Sequence, residues 1–208
     1  MYTLLKPIAT RNELLKRKIR IFTTGQFALL FHLSKPQAKY FLDQLVEEEL
    51  LTRLKRGLYG LRTDPASERE IANVLYKPSY ISFDYALAYY NLIPEMVYEI
   101  TSATTKPTRL FTTNTLAFGY YTIKTEAYTG YVLKQEGERR FYIAEPEKAV
   151  VDYLYALTLG QRGLLGKRTI NDRLQISSLS KAKLRGYAKL FAWPQLEVLV
   201  EKVIKELL

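Results

Sequence analysis

Between residues 34 and 61 the chain places a capped amphipathic helix directly before a short hairpin, and few small folds accommodate that order. Ser34 is an N-cap candidate, and Pro36 follows where a missing N–H costs nothing. Ala38, Phe41, Leu42, Leu45 and Val46 then form one apolar stripe that ends near Glu49, while Lys35, Gln37, Lys39, Tyr40, Asp43 and Gln44 occupy the other side. Residues 50–54 read as a strand, Lys55-Arg56-Gly57 as a tight turn and residues 58–61 as the return strand. Upstream, Thr23-Thr24 caps a shorter helix over about residues 25–31, and His32-Leu33 turns into the next one. An earlier helix from about Thr10 closes on Lys16-Arg17-Lys18-Ile19-Arg20, where cations suit the helix dipole. Two helices, a brief turn and a basic-tipped hairpin predict a winged helix-turn-helix over residues 1–64.

The charge distribution suggests what such a unit would hold. The 208 residues carry a net charge of +10. Residues 1–62 have 12 Lys and Arg against 5 Asp and Glu, whereas the rest of the chain has 19 against 16. A basic excess concentrated in the first third points to a polyanion, and double-stranded DNA is the partner expected. Lys35, Gln37, Lys39, Tyr40 and Asp43 are the candidates for major-groove contact, with Ser34 and Thr24 on phosphates. Arg53, Lys55 and Arg56 would anchor the wing. Glu47-Glu48-Glu49 reads as a solvated helix end. Winged helices also serve as protein-docking modules, so an adaptor that binds no DNA is the alternative.

Several chemistries are excluded. There is no cysteine, which removes disulfide scaffolds, thiol catalysis, zinc fingers and iron–sulfur clusters, and which fits a reducing compartment. The single histidine, His32, rules out a zinc site of several imidazoles within one chain and lies in a turn between helices. The acidic pairs Glu136/Glu138 and Glu145/Glu147 fall in a turn and at a helix start, and nothing points to a buried acid–base pair. Residues 160–169 superficially resemble a phosphate loop. Gln161 stands where the Walker spacing needs glycine, and Arg168 where Ser or Thr would hold magnesium, so a basic loop is expected. The chain is therefore expected to have no catalytic residues, metal or cofactor. With no signal core at the N-terminus and every apolar run well short of 18 residues, a cytoplasmic protein with no membrane partner is expected.

Residues 63–67 are rich in turn formers and suggest a boundary, followed by a linker over 65–78 with a short helix from Glu68 to about Leu75. Residues 79–208 read as an α+β domain. Helices are expected over 83–90, from Pro146 with Ala149, Val150, Tyr153, Leu154 and Leu157 on one face, and over 170–176, 180–192 and 194–208. Strands over 97–102, 108–113, 117–123, 131–134 and 139–144 predict a small, mainly antiparallel sheet. Thirteen of the 17 tyrosines fall between Tyr76 and Tyr155, read first as core and sheet packing, second as a protein interface and third as stacking on single-stranded bases. Lys167, Arg168, Arg173, Lys181, Lys183, Arg185 and Lys189 form a second basic set that could meet phosphates or an acidic protein surface.

Several stretches carry a resemblance: Lys77-Pro78-Ser79-Tyr80-Ile81-Ser82, Ala86-Leu87-Ala88-Tyr89-Tyr90 with Leu92-Ile93-Pro94-Glu95, the run from Tyr98 to Arg109, and Glu145-Pro146-Glu147-Lys148-Ala149-Val150-Val151-Asp152. In this order they resemble the AbiEi-type antitoxins, regulators of abortive-infection toxin–antitoxin pairs, over nearly the whole chain. The resemblance implies a winged helix that binds inverted repeats in its own promoter and represses the operon. It also implies a C-terminal domain that neutralises a nucleotidyltransferase-like toxin. No catalytic motif is carried over, and a transcriptional regulator without a toxin partner stands beside the docking adaptor as the alternative. Lys106-Pro107-Thr108-Arg109 and Glu145-Pro146-Glu147-Lys148 are family landmarks that read physically as a strand entry and a helix N-terminus. Two copies are needed to read an inverted repeat, and self-association is left open.

Overall fold

Pro7 opens the first helix, α1 (Pro7–Lys16), because a first-turn residue needs no N–H and proline's fixed φ already suits the helix. The computed structural model describes residues 6–113, 116–160 and 169–207. Helix α1 begins three residues before the expected start at Thr10 and stops within the basic run. Lys18 adopts a φ of 54°, and Ile19 N–H returns to the Leu14 carbonyl at 2.9 Å, which closes the helix by a left-handed end.

A short strand, β1 (Ile21–Thr23), leads into α2 (Thr24–Leu30). Thr23 Oγ1 accepts from Gln26 N–H at 3.2 Å while Gln26 Oε1 accepts from Thr23 N–H at 2.8 Å. Ser34 and Gln37 close the same reciprocal box at the start of α3 (Lys35–Glu47). His32 makes the turn between these helices at a φ of 53°. The apolar stripe of α3 is buried as its spacing predicts: Ala38, Phe41, Leu42 and Leu45 pack in one cluster with Leu14, Phe22, Phe27, Leu51 and Leu61. Strands β2 (Leu51–Lys55) and β3 (Leu58–Leu61) follow, and the three strands form an antiparallel sheet in the order β1-β3-β2. Gly57 sits in their connecting turn at a φ of 76°, a conformation that favours glycine.

The chain divides into two compact units, Met1–Ile71 and Ala72–Leu208, the division falling within α4 (Glu68–Leu75). The second unit is mixed α and β, so the molecule as a whole is α+β. Its strands are β4 (Ser79–Ile81), β5 (Glu99–Thr104), β6 (Arg109–Thr112), β7 (Ala117–Thr122), β8 (Tyr131–Glu136) and β9 (Arg139–Ala144). They form one six-stranded sheet in the order β6-β7-β5-β4-β9-β8. This sheet is larger and more mixed than expected, because β4 pairs parallel to β9 and β5 parallel to β7. The β4–β9 pairing is not legible in the sequence because β4, three residues between Pro78 and Ser82, shows no alternation long enough to mark a strand. The helices are α5 (Phe83–Tyr89), α6 (Pro146–Thr158), α7 (Lys181–Leu190) and α8 (Pro194–Leu207).

The helix expected over 170–176 is absent, and the described part of this segment is held as a loop. Asn171 N–H donates to Tyr153 Oη at 3.0 Å, its side-chain amide donates to Glu95 at 3.0 Å, and Gln175 N–H donates to the Leu92 carbonyl at 2.8 Å. Leu174 and Ile176 are buried, so the apolar spacing that suggested a helix marks anchor points of the loop instead.

Candidate nucleic-acid interface

The polar side of α3 follows from the burial of its other side. Helix geometry advances about 100° per residue, so Lys35, Lys39 and Asp43 lie in one stripe within a sector of about 80°. Lys35 and Lys39 are exposed, and neither pairs with a carboxylate among the described residues. Tyr40 is 59% exposed, and its Oη accepts from Gln44 Nε2 at 2.8 Å. Ser34 and Gln37 are turned toward each other: Ser34 N–H and Ser34 Oγ both reach Gln37 Oε1, at 2.9 and 2.7 Å. Their side chains thus set the start of α3.

The hairpin joins this helix through charge. Arg53 on β2 pairs with Asp43 on α3, which brings the strand to the stripe that carries Lys35 and Lys39. The Arg53 guanidinium also lies over the Tyr59 ring, 5.7 Å from its centroid. Thr24 N–H donates to the Gly57 carbonyl at 3.1 Å, so the turn containing Arg56 docks on the first residue of α2. Arg56 is exposed with no carboxylate partner among the described residues, and Lys55 is half-buried. Two junctions therefore tie the hairpin to the helices, Asp43–Arg53 and Thr24–Gly57. Glu47, Glu48 and Glu49 are exposed at the far end of α3, with Glu49 paired to Arg62 at 3.4 Å.

Of the five described members of the second basic set, three are engaged. Arg173 pairs with Glu95 at 2.5 Å, Lys183 with Glu145 at 2.9 Å, and Arg185 holds both oxygens of Glu201 at 2.6 and 2.9 Å. Lys181 and Lys189 are exposed without such partners, and Lys167 and Arg168 lie outside the described residues. Lys183 and the Tyr187 hydroxyl hold the Glu145 carboxyl below the usual range.

Sequence reasoning missed a buried charge cluster in the second unit, which corrects the expectation that no buried acid–base pair exists. Lys148 and Asp152, both fully buried, form an ion pair one turn apart on α6. Asp152 also accepts from Ser82 Oγ at 2.7 Å and Tyr80 Oη at 3.0 Å, and Lys148 Nζ lies 4.5 Å from the Phe191 ring centroid. Burial pushes the Asp152 carboxyl up and the Lys148 ammonium down, while their mutual attraction opposes both shifts. Lys148 belongs to the block read as a helix N-terminus. The available signal was a lysine and an aspartate four apart, Lys148 at the start of the apolar run 149–154 and Asp152 inside it. A second buried acid, Asp84, is 1% exposed, and its carboxyl oxygens make no hydrogen bond to another described residue. Burial, with Glu99 and Glu95 nearby, pushes its carboxyl up to about 7.

Among the described residues no group of three or more His, Asp or Glu side chains is placed to hold a metal ion, and no helix is long and apolar enough to cross a membrane. No protein-family model matches the chain, and no characterised protein matches it significantly.

Proposed function

We propose that the N-terminal unit is a winged helix-turn-helix that binds duplex DNA, with α3 as the recognition helix and the β2–β3 turn as the wing. One observation carries this reading: Lys35, Lys39 and Arg56 stand exposed, without carboxylate partners among the described residues, on a helix and a turn of one small unit. Unpaired cations so arranged are what a phosphate backbone recruits, with release of its counterions. The class of protein is thus a non-enzymatic, DNA-binding transcriptional regulator that works in the cytoplasm. Within that class we propose an antitoxin that represses its own operon through inverted repeats. Its C-terminal domain would neutralise a nucleotidyltransferase-like toxin. The resemblance in the second unit supports this narrower reading.

Fluorescence anisotropy against the chain's own upstream region tests the first part. Sequence-specific binding is expected, and the Lys55→Ala, Arg56→Ala double variant should lower the salt slope by about two units. An unchanged slope would remove the wing from the interface. Rescue of growth against a toxin encoded next to this chain tests the second part, and failure of the full chain to rescue would sink it. The exposure of Leu29 (79%) on α2 and of Tyr40 favours a second reading, a protein-docking adaptor. Absence of a specific shift at moderate salt selects that adaptor.

A further inference from the structure

We propose that Asp43 is a positioning residue: it holds the Arg53 guanidinium as a preset clamp for one DNA backbone phosphate at the junction of α3 and β2. The inference rests on the DNA-binding reading above and assigns a role to a residue that otherwise contradicts it. A carboxylate on the same stripe as Lys35 and Lys39 faces the polyanion and should repel it. Asp43 is ion-paired, however, and its partner is the cation of the adjoining strand.

Arg53 is held from two directions. Asp43 grips one guanidinium nitrogen, and the guanidinium carbon lies 5.7 Å from the Tyr59 centroid. Tyr59 is directly opposite Arg53 in the β2–β3 register and is only 3% exposed. It stacks on Phe22 at 6.3 Å, and Phe22 stacks on Phe27 at 5.6 Å, so the platform under the arginine is the core itself. A register shift between Arg53 and Lys55 bends β2 at this point. The Arg53 side chain is still 49% exposed. A guanidinium has five N–H donors in a planar fork, so one engaged by Asp43 leaves others for a phosphate oxygen. Fixing a long, flexible side chain before binding lowers the entropy lost on binding.

The consequence has a sign opposite to simple electrostatics: removing the negative charge of Asp43 weakens binding to DNA. Anisotropy titrations of the full chain, on a 30-base-pair duplex from its own upstream region and on a scrambled duplex across a salt series, read it out. Arg53→Ala should bind about tenfold more weakly on both duplexes, with a salt slope lower by about one unit. Asp43→Ala should bind about threefold to tenfold more weakly, and the double variant no more weakly than Arg53→Ala alone. Arg53→Lys should not restore binding, because an ammonium lacks the fork. An exposed ion pair adds little to stability, so melting temperatures should stay level across the set. Equal or tighter binding by Asp43→Ala in the wild-type background overturns the clamp while the DNA reading survives. Failure of the wild type to bind either duplex overturns both.

Discussion

Helices α3 and α6 each run 13 residues and each begin with proline in the first turn, yet they are buried differently. Helix α3 buries one stripe and leaves its polar side to the solvent, where Lys35 and Lys39 have no carboxylate partner among the described residues. Helix α6 is buried on nearly every side, including Glu147, Lys148 and Asp152. The half-buried helix can present charge to a ligand. The enclosed one must satisfy its charges internally, because an ion taken out of water costs several kcal/mol unless it is paired and hydrogen-bonded. Exposed charge therefore serves as the candidate surface of the N-terminal unit, and buried charge organises the core of the second.

Lys148→Met is the strongest test of that contrast. It leaves Asp152 buried without its cation and should cost about 3–5 kcal/mol, read as a loss of denaturant midpoint. Adding Asp152→Asn keeps an acceptor for Tyr80 and Ser82 while removing the charge, and should recover part of the loss. A single variant within about 0.5 kcal/mol of the wild type would mean that the pair is not what organises this core.

Asp84 sharpens the comparison through pH. Its folded value of about 7 lies above the ordinary 3.8, so between these the folded chain keeps a proton that the unfolded chain has released. This contribution is most favourable at low pH and is lost as pH rises through about 4 to 7. Asp84→Asn should gain about 2–3 kcal/mol relative to the wild type between pH 5 and pH 8. Parallel stability curves for the two proteins would show that Asp84 does not carry this linkage.

The smallest effect belongs to the N-terminal unit. Ser34→Ala removes the cap of α3 and should cost about 1 kcal/mol. Lys39→Ala should leave stability within about 0.5 kcal/mol while weakening DNA binding, since its side chain lies on the exposed stripe. A Lys39→Ala variant that melts early would move Lys39 from the candidate binding face into the structural one.

The first unit was readable because its signals are local. The Thr23 and Ser34 caps act three residues away, the stripe from Ala38 to Leu45 repeats every three or four residues, and Gly57 marks its own turn. The second unit resisted reading where its contacts are distant. Tyr80 and Ser82 meet Asp152 across 72 and 70 residues, and the 170–176 segment is pinned by Tyr153, Glu95 and Leu92. Even in the first unit, local patterning could not assign Asp43 to Arg53 instead of to a base.

By itself the amino-acid order determined where helices are capped, which side of α3 turns inward and where the positive charge accumulates, because each depends on neighbours within one or two turns. Only the tertiary structure decided that Lys148 and Asp152 are enclosed, that β4 runs parallel to β9, and that Asp43 holds Arg53. Those outcomes depend on which distant groups exclude water from one another, and a linear sequence does not state that.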